Sequence, residues 1–247
     1  MATANPALRE GAFLGFPVPR TRSTTMSIAG TVLKTGVLVA ILSVTAGYTW
    51  MQFKSEQTGL LYGLLIAGSI GGLIASIATI WFPRISPVSA PIYAALEGLV
   101  LGAISSIFEA NYPGIAFQAL ALSVGTLTAM LGLYATGILR ATEKFRAGIF
   151  AATAGIALVY LVGFIASFFG PGIPYIHESG PIGIGFSLIV VVIAALNLII
   201  DFDQIHCGVQ SGAPKYMEWY AGFSLLLTLV WMYLEILRLL AKLRGRD

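Results

Sequence analysis

Asn197, Asp201 and Asp203 interrupt the apolar stretch AALNLIIDFDQIHCG. A further acid, Glu235, interrupts the next apolar run, within TLVWMYLEILRLLAKL. Only 10% of the 247 residues are charged, so an acid inside an apolar run calls for a reason. A charged side chain at bilayer depth costs about 2.5–3.5 kcal/mol on insertion scales, and such groups face a bundle interior or a water-filled path. Carboxylate and amide oxygens are hard ligands, suited to protons, Ca²⁺ or other cations rather than to soft metals. Two neighbouring carboxylates titrate as a coupled pair, which makes a two-acid site sensitive to pH. The candidate ion-binding and gating residues are Asp201, Asp203, Glu235 and Glu97, with Asp201 the candidate contact for Ca²⁺. Asn197 is the candidate polar group facing a path.

Spacing sharpens these assignments and leaves alternatives open. Asn197 and Asp201 are four apart and share one helix face. Asp203 is two residues further and points elsewhere if the helix continues, so both aspartates serve one site only if the helix frays there. A competing reading makes the two aspartates the mark of a helix leaving the membrane. Glu235 either pairs with Arg238 one turn later or faces a pore. Glu97, about two turns into its apolar run, is either a snorkelling or hydrogen-bonded structural acid or a functional one.

The elements that must hold these residues are helices. Hydrophobic residues make up 57% of the chain, and a run of about 20 apolar residues spans the hydrocarbon core as a helix. Seven such runs are predicted, over 28–53, 58–82, 89–108, 114–139, 147–169, 181–203 and 217–242. The expected fold is all-α, seven helices embedded in the lipid bilayer. The expected organisation is a polar arm over 1–27, a membrane domain over 28–243 and a short basic tail over 244–247. The first apolar run is too long for a cleaved signal peptide, so the arm is expected to be retained.

Arg9, Arg20 and Arg22 precede the first run, and Arg84, Arg140, Lys144, Arg146 and Lys215 fall in connections on the same side. Across the membrane the short loops contain only Lys54. The positive-inside rule then places the N terminus in the cytoplasm. Seven crossings place the C terminus outside, where Lys242, Arg244 and Arg246 run against that rule. Lys34 is expected to snorkel to the headgroups. Gly63, Ala67, Gly71 and Ala75 form a small-residue stripe read as a packing seam. GPGIPYIHESGP reads as an ordered turn with His177 and Glu178 solvated.

Several chemistries are not expected. Cys207 is the only cysteine, which excludes an intrachain disulfide, and His177 and His206 are too far apart in sequence to suggest a zinc site. The chain has no HExxH, GxGD or GxSG motif and no mid-membrane lysine in the last run, so no enzyme activity and no retinal Schiff base are expected. Neither a resident cofactor nor a nucleic acid partner is expected, with Ca²⁺ as a permeant or bound ion.

In IDFDQI (200–205), YMEWY (216–220) and TLVWMYLEILRLLAKL (228–243) the chain resembles the transmembrane Bax inhibitor motif family, in its bacterial branch. NPAL, GTVLKTG with a following TW, and SPVSAPIYAALEGLVLG extend the likeness over most of the chain. The resemblance implies seven helices with the last in the middle of the others. It implies a pH-sensitive Ca²⁺ leak in the bacterial cytoplasmic membrane, controlled by one acid on helix six and another on helix seven. Asp201 matches the first acid, and Arg84 matches by position an arginine that latches the closed state. For the second acid, MYLEI places Glu235, whereas alignment on ILRLL places Thr228, with Glu97 or Asp203 as substitutes. Glu235 lies about 27 Å along a straight helix seven, at the end opposite Asp201. Bacterial relatives also engage membrane proteases, which implies an alternative: a non-conducting interaction protein that modulates a membrane protease or a stress response, with the polar arm as its handle.

Overall fold

The computed structural model describes residues 25–54, 58–169 and 179–245. Most of the expected arm (1–24), the loop with His177 and Glu178 (170–178) and the end of the tail with Arg246 lie outside the described residues. Among the described residues there are seven helices: α1 Ile28–Lys54, α2 Thr58–Trp81, α3 Ser86–Asn111, α4 Ile115–Ala135, α5 Glu143–Ser167, α6 Pro181–Gln210 and α7 Met217–Arg244. All seven contain segments long and apolar enough to cross a membrane. Ile66, Ile70 and Ile74 on α2 and Leu158, Leu161 and Ile165 on α5 are exposed in rows at helical spacing, the faces that lipid would cover.

Three helix ends differ from the sequence reading. α3 starts at Ser86 rather than at 89, because the first N–H groups of a helix have no partner inside it and Pro87 there forfeits nothing. A short 3-10 turn, Pro83–Ile85, leads directly into it. α5 starts at Glu143, with the Thr142 side chain accepting the Phe145 N–H at 3.3 Å. That cap draws Glu143, Lys144 and Arg146 out of the loop and into the helix. α6 continues past the expected end at 203 to Gln210. It closes with Gly212 at φ 68°, the Gly212 N–H on the Val209 carbonyl and the Ala213 N–H on the Gly208 carbonyl. This 6→1 and 5→2 pairing requires a residue tolerant of positive φ, which only arrives at Gly212.

The chain divides into two compact units, and the division passes through α6 and α7. One unit holds α1–α3 with residues 203–227; the other holds α4, α5, α6 up to Phe202 and α7 from Thr228.

In the first unit α3 packs against both α1 and α2. Gly98 and Gly102, four apart, let α1 come close: a Cβ at Gly98 would collide with the Leu42 carbonyl and Thr45, and one at Gly102 with the Ala46 backbone. The α2 seam is not the expected one. Gly63 and Ala67 are exposed, and the buried row is Gly68, Gly72, Ala75 and Thr79. A strict spacing of four drifts about 40° per step around a helix of 3.6 residues per turn, so a seam must alternate threes and fours. A Cβ at Gly68 would lie 2.8 Å from the Leu96 carbonyl, and the Thr79 hydroxyl lies 2.7 Å from the Ser89 hydroxyl.

Gly102→Leu is expected to lower the thermal unfolding temperature in detergent, by the equivalent of about 1–3 kcal/mol or more for overpacking. Gly36→Ala, where an added Cβ meets nothing within 4 Å, is expected to leave the temperature unchanged or raise it. Equal melting of Gly102→Leu and wild type would remove the α1–α3 seam from the account.

Candidate functional site

In the second unit α6 and α7 run antiparallel, and two hydrogen bonds set their register. The Thr228 hydroxyl donates to Asp201 Oδ2 at 2.6 Å. Fourteen residues away on each helix, the Lys242 ammonium donates to the Ser187 hydroxyl at 2.7 Å and to the Gly183 carbonyl at 3.1 Å. The two levels are separated by about 21 Å of helix rise. Thr228, Glu235 and Lys242 thus form a stripe at a spacing of seven, the repeat that keeps one face of a helix on a neighbour.

Asp201 is fully buried and Asn197 nearly so. Their shared face is as the spacing implies, since α6 is helical throughout. Asn197 donates to the Thr153 hydroxyl on α5 at 3.0 Å and to the Ile193 carbonyl at 2.9 Å. Tyr134 on α4 packs against the Phe202 ring at 5.8 Å between centroids. The acid therefore sits among α4, α5, α6 and α7, with a hydroxyl and not a second carboxylate facing it from α7.

Glu235 is two turns, about 10 Å, beyond Thr228 and does not share the Asp201 level. Its Oε1 accepts from Arg238 at 2.8 Å and its Oε2 accepts from the Tyr160 hydroxyl on α5 at 2.9 Å. The Arg238 guanidinium also lies over the Tyr160 ring, 5.5 Å from its centroid. The pairing with Arg238 is the one the spacing offers, and Tyr160 is a partner that spacing within one helix could not reveal. At the end of α7, Arg244 donates to the Pro113 carbonyl and to the Gln118 side chain, each at 2.8 Å. Lys242 and Arg244 are therefore both engaged by neighbouring elements.

The remaining candidates belong to the first unit. Asp203 is partly exposed, and its Oδ2 is 3.8 Å from the Cys207 sulfur. Because α6 continues, it points about 200° around the helix from Asp201. The frayed helix needed to bring both aspartates to one site is not present. Arg84 is exposed in the 3-10 turn before α3. Glu97 is partly buried on α3, facing α2: a Cβ at Gly72 would lie 3.3 Å from its Oε2. Among the described residues no three His, Cys, Asp or Glu side chains converge as a metal cluster would require.

Glu218 was not among the candidates, yet it is fully buried. Its Oε1 accepts from the Ser27 N–H at 3.0 Å, the Ser27 hydroxyl at 2.8 Å and Lys215 at 2.8 Å. A carboxylate at the first N–H groups of α1 complements the helix dipole, and the carboxyl lies so flat on Gly30 that a Cβ there would collide with it. With the Met26 N–H on the Ala213 carbonyl and the Ser86 hydroxyl on the Tyr216 carbonyl, it ties the starts of α1 and α3 to the α6–α7 turn. Lys34, expected at the headgroups, lies over the Trp219 ring at 4.9 Å from its centroid. The readable signal for Glu218 was an acid in the first turn of an otherwise apolar helix.

Seven long apolar helices with acids bonded inside them define a multi-pass integral membrane protein. Within that class, residues 5–245 match the family model described as Bax inhibitor 1 like, and the chain belongs to that family. No curated protein matches the chain. No solved structure matches it.

A double-mutant cycle of Asp201→Asn and Thr228→Val, read by thermal unfolding, is expected to give a coupling of about 1.5–3 kcal/mol, the range for a hydrogen bond to a charged group. Additive effects would mean that the 2.6 Å contact contributes nothing in the membrane.

Proposed function

We propose that this protein is a pH-sensitive cation leak, with Ca²⁺ as the permeant ion and Asp201 as the titrating group of its gate. The observation that carries this reading is the fully buried Asp201 carboxyl held by Thr228 across the α6–α7 seam. An acid placed there has its charge state coupled to how two helices meet, and a change of protonation alters both the seam and its attraction for cations. Family membership supports the same reading, since the family resemblance implies a helix-six acid at this position.

The gate proposed here differs from a two-acid gate. Thr228 bonds Asp201 from α7 with a hydroxyl, and the proposed gate titrates through Asp201 alone. A single acid titrates in one step, whereas a close pair titrates in two. The protein is proposed to lie in the bacterial cytoplasmic membrane with its N terminus in the cytoplasm. The cations on the N-terminal side support this, as does the engagement of Lys242 and Arg244 by neighbouring helices at the other end.

Ca²⁺ flux into proteoliposomes between about pH 5 and 8 tests this reading. Wild type is expected to follow a one-proton curve with a slope of about 1. Asp201→Asn, which fixes a neutral side chain, is expected to give flux independent of pH at the acidic wild-type level. Thr228→Asp is expected to convert the curve to a broader two-step one. Wild-type flux no greater than that of empty liposomes, from folded protein, would reject the leak in favour of an interaction protein acting on a membrane protease.

A further inference from the structure

Glu97 is partly buried on the packed face of α3. It falls on the α3 stripe of 90, 94, 97, 101 and 105, whose other members Ala90, Ala94, Leu101 and Ser105 are buried. It is also far from either end of the helix, about 16 Å from Ser86 and about 21 Å from Asn111 at 1.5 Å per residue. That distance exceeds what a glutamate side chain reaches by snorkelling.

The opposing helix makes room for it. Gly71 and Gly72 on α2 face this stretch of α3: a Cβ at Gly71 would lie 3.1 Å from the Leu96 side chain, and one at Gly72 lies 3.3 Å from Glu97 Oε2. α2 contains no charged residue, so it offers the carboxyl a notch and no counter-ion. Among the described residues Glu97 takes part in no hydrogen bond and no ion pair. The fully buried acids are each met by a donor. Asp201 has Thr228, Glu235 has Tyr160 and Arg238, and Glu218 has Ser27 and Lys215.

The titratable groups on the elements around Glu97 make no hydrogen bond or ion pair to it, although Tyr93 is close enough to interact with it electrostatically. On α3 itself, the Tyr93 ring packs edge-on against Phe223 at 5.0 Å. On α1, Lys34 lies over Trp219. On the first part of α7, Glu218 is bonded to Ser27 and Lys215, and the Tyr220 ring is 6.4 Å from Phe223. α2 contributes Tyr62 alone, three turns from Gly72.

We propose that Glu97 is an intramembrane proton-binding site, where one carboxyl carries and exchanges a proton in the glycine notch of α2. An ionised carboxylate without a donor is costly in hydrocarbon, and an ionisable group kept there marks a site whose occupant supplies the missing bond. The proton meets that need in the smallest volume. It forms an O–H bond on the carboxylate and leaves on the same oxygen, with no other bond changed.

The test reads the carboxyl directly, without ion flux, so its outcome is independent of the Asp201 gate. Dicyclohexylcarbodiimide is an apolar reagent that takes the proton of a neutral acid onto one nitrogen while the carboxylate oxygen bonds to its central carbon. Acyl migration to nitrogen then leaves a stable N-acylurea. Wild-type protein in nanodiscs of neutral lipid is treated across about pH 6–9 and mapped by mass spectrometry. Glu97 is expected to be labelled, with labelling falling about tenfold per pH unit above its titration point. The infrared band of a protonated carboxyl is expected in wild type and expected to lose intensity in Glu97→Gln. A Glu97 peptide that stays unlabelled at pH 6, or labelling that does not change with pH, overturns the proposal. So do identical infrared spectra of wild type and a folded Glu97→Gln.

Discussion

Hydrocarbon offers no water, so a polar group carried into these helices has to be met by another part of the chain. The bond between Thr228 and Asp201 is where that constraint acts most strongly, on a fully buried acid at a helix–helix seam. A carboxylate without that hydroxyl would lose a bond worth about 1.5–3 kcal/mol for a charged acceptor. The bond also sets register. Once Thr228 is level with Asp201, an antiparallel α7 necessarily brings Lys242 level with Ser187, and Glu235 falls between them where Tyr160 reaches it from α5. The polar stripe of α7 is thus a set of three levels, each with a different partner chemistry: hydroxyl to acid, arginine and tyrosine to acid, and ammonium to hydroxyl and carbonyl.

The unit of α1–α3 is held on different terms. Its seams are built from glycine, with backbone against backbone where Gly98 and Gly102 meet α1 and where Gly68 meets α3. Close approach replaces the hydrophobic drive that lipid tails remove. Its polar fastening is concentrated at the α6–α7 turn, where Glu218 closes the start of α1 and the Tyr216 carbonyl receives Ser86. The Glu218 carboxylate is not fully satisfied, since its Oε2 is buried without a hydrogen bond. That oxygen rests against Gly30, so only a glycine at that position lets the acid reach the helix N terminus.

These two ways of holding helices together bear on what each acid does. Acids held by two donor residues, Glu235 and Glu218, act as fasteners and hold their helices in place. Asp201 is bonded across the α6–α7 seam, the feature on which the proposed gate rests. Glu97, with a glycine notch and no donor, has the chemistry of a site that takes its partner from outside the protein. The distinction follows from which atoms meet each carboxyl, and residue type alone does not make it.

The sequence by itself determined the number of helices, because seven apolar runs of spanning length leave an apolar chain no other way to bond its backbone in a bilayer. It also determined that Asn197 and Asp201 share a face and that Glu235 and Arg238 can pair, since both follow from helical spacing. The motifs of the last two helices carried the family, which residues 5–245 bear out. What the sequence left open was the partner across each seam. Glu235, Asp203, Glu97 and Thr228 were all available to face Asp201, and spacing along one helix carries no information about the register of another. The continuation of α6 to Gln210 turned Asp203 away, the antiparallel register placed Thr228 opposite, and the drift of a 3.6-residue helix moved the α2 seam from Gly63 and Ala67 to Gly68 and Gly72. Those outcomes depend on how whole helices lie side by side, and only tertiary packing decides them.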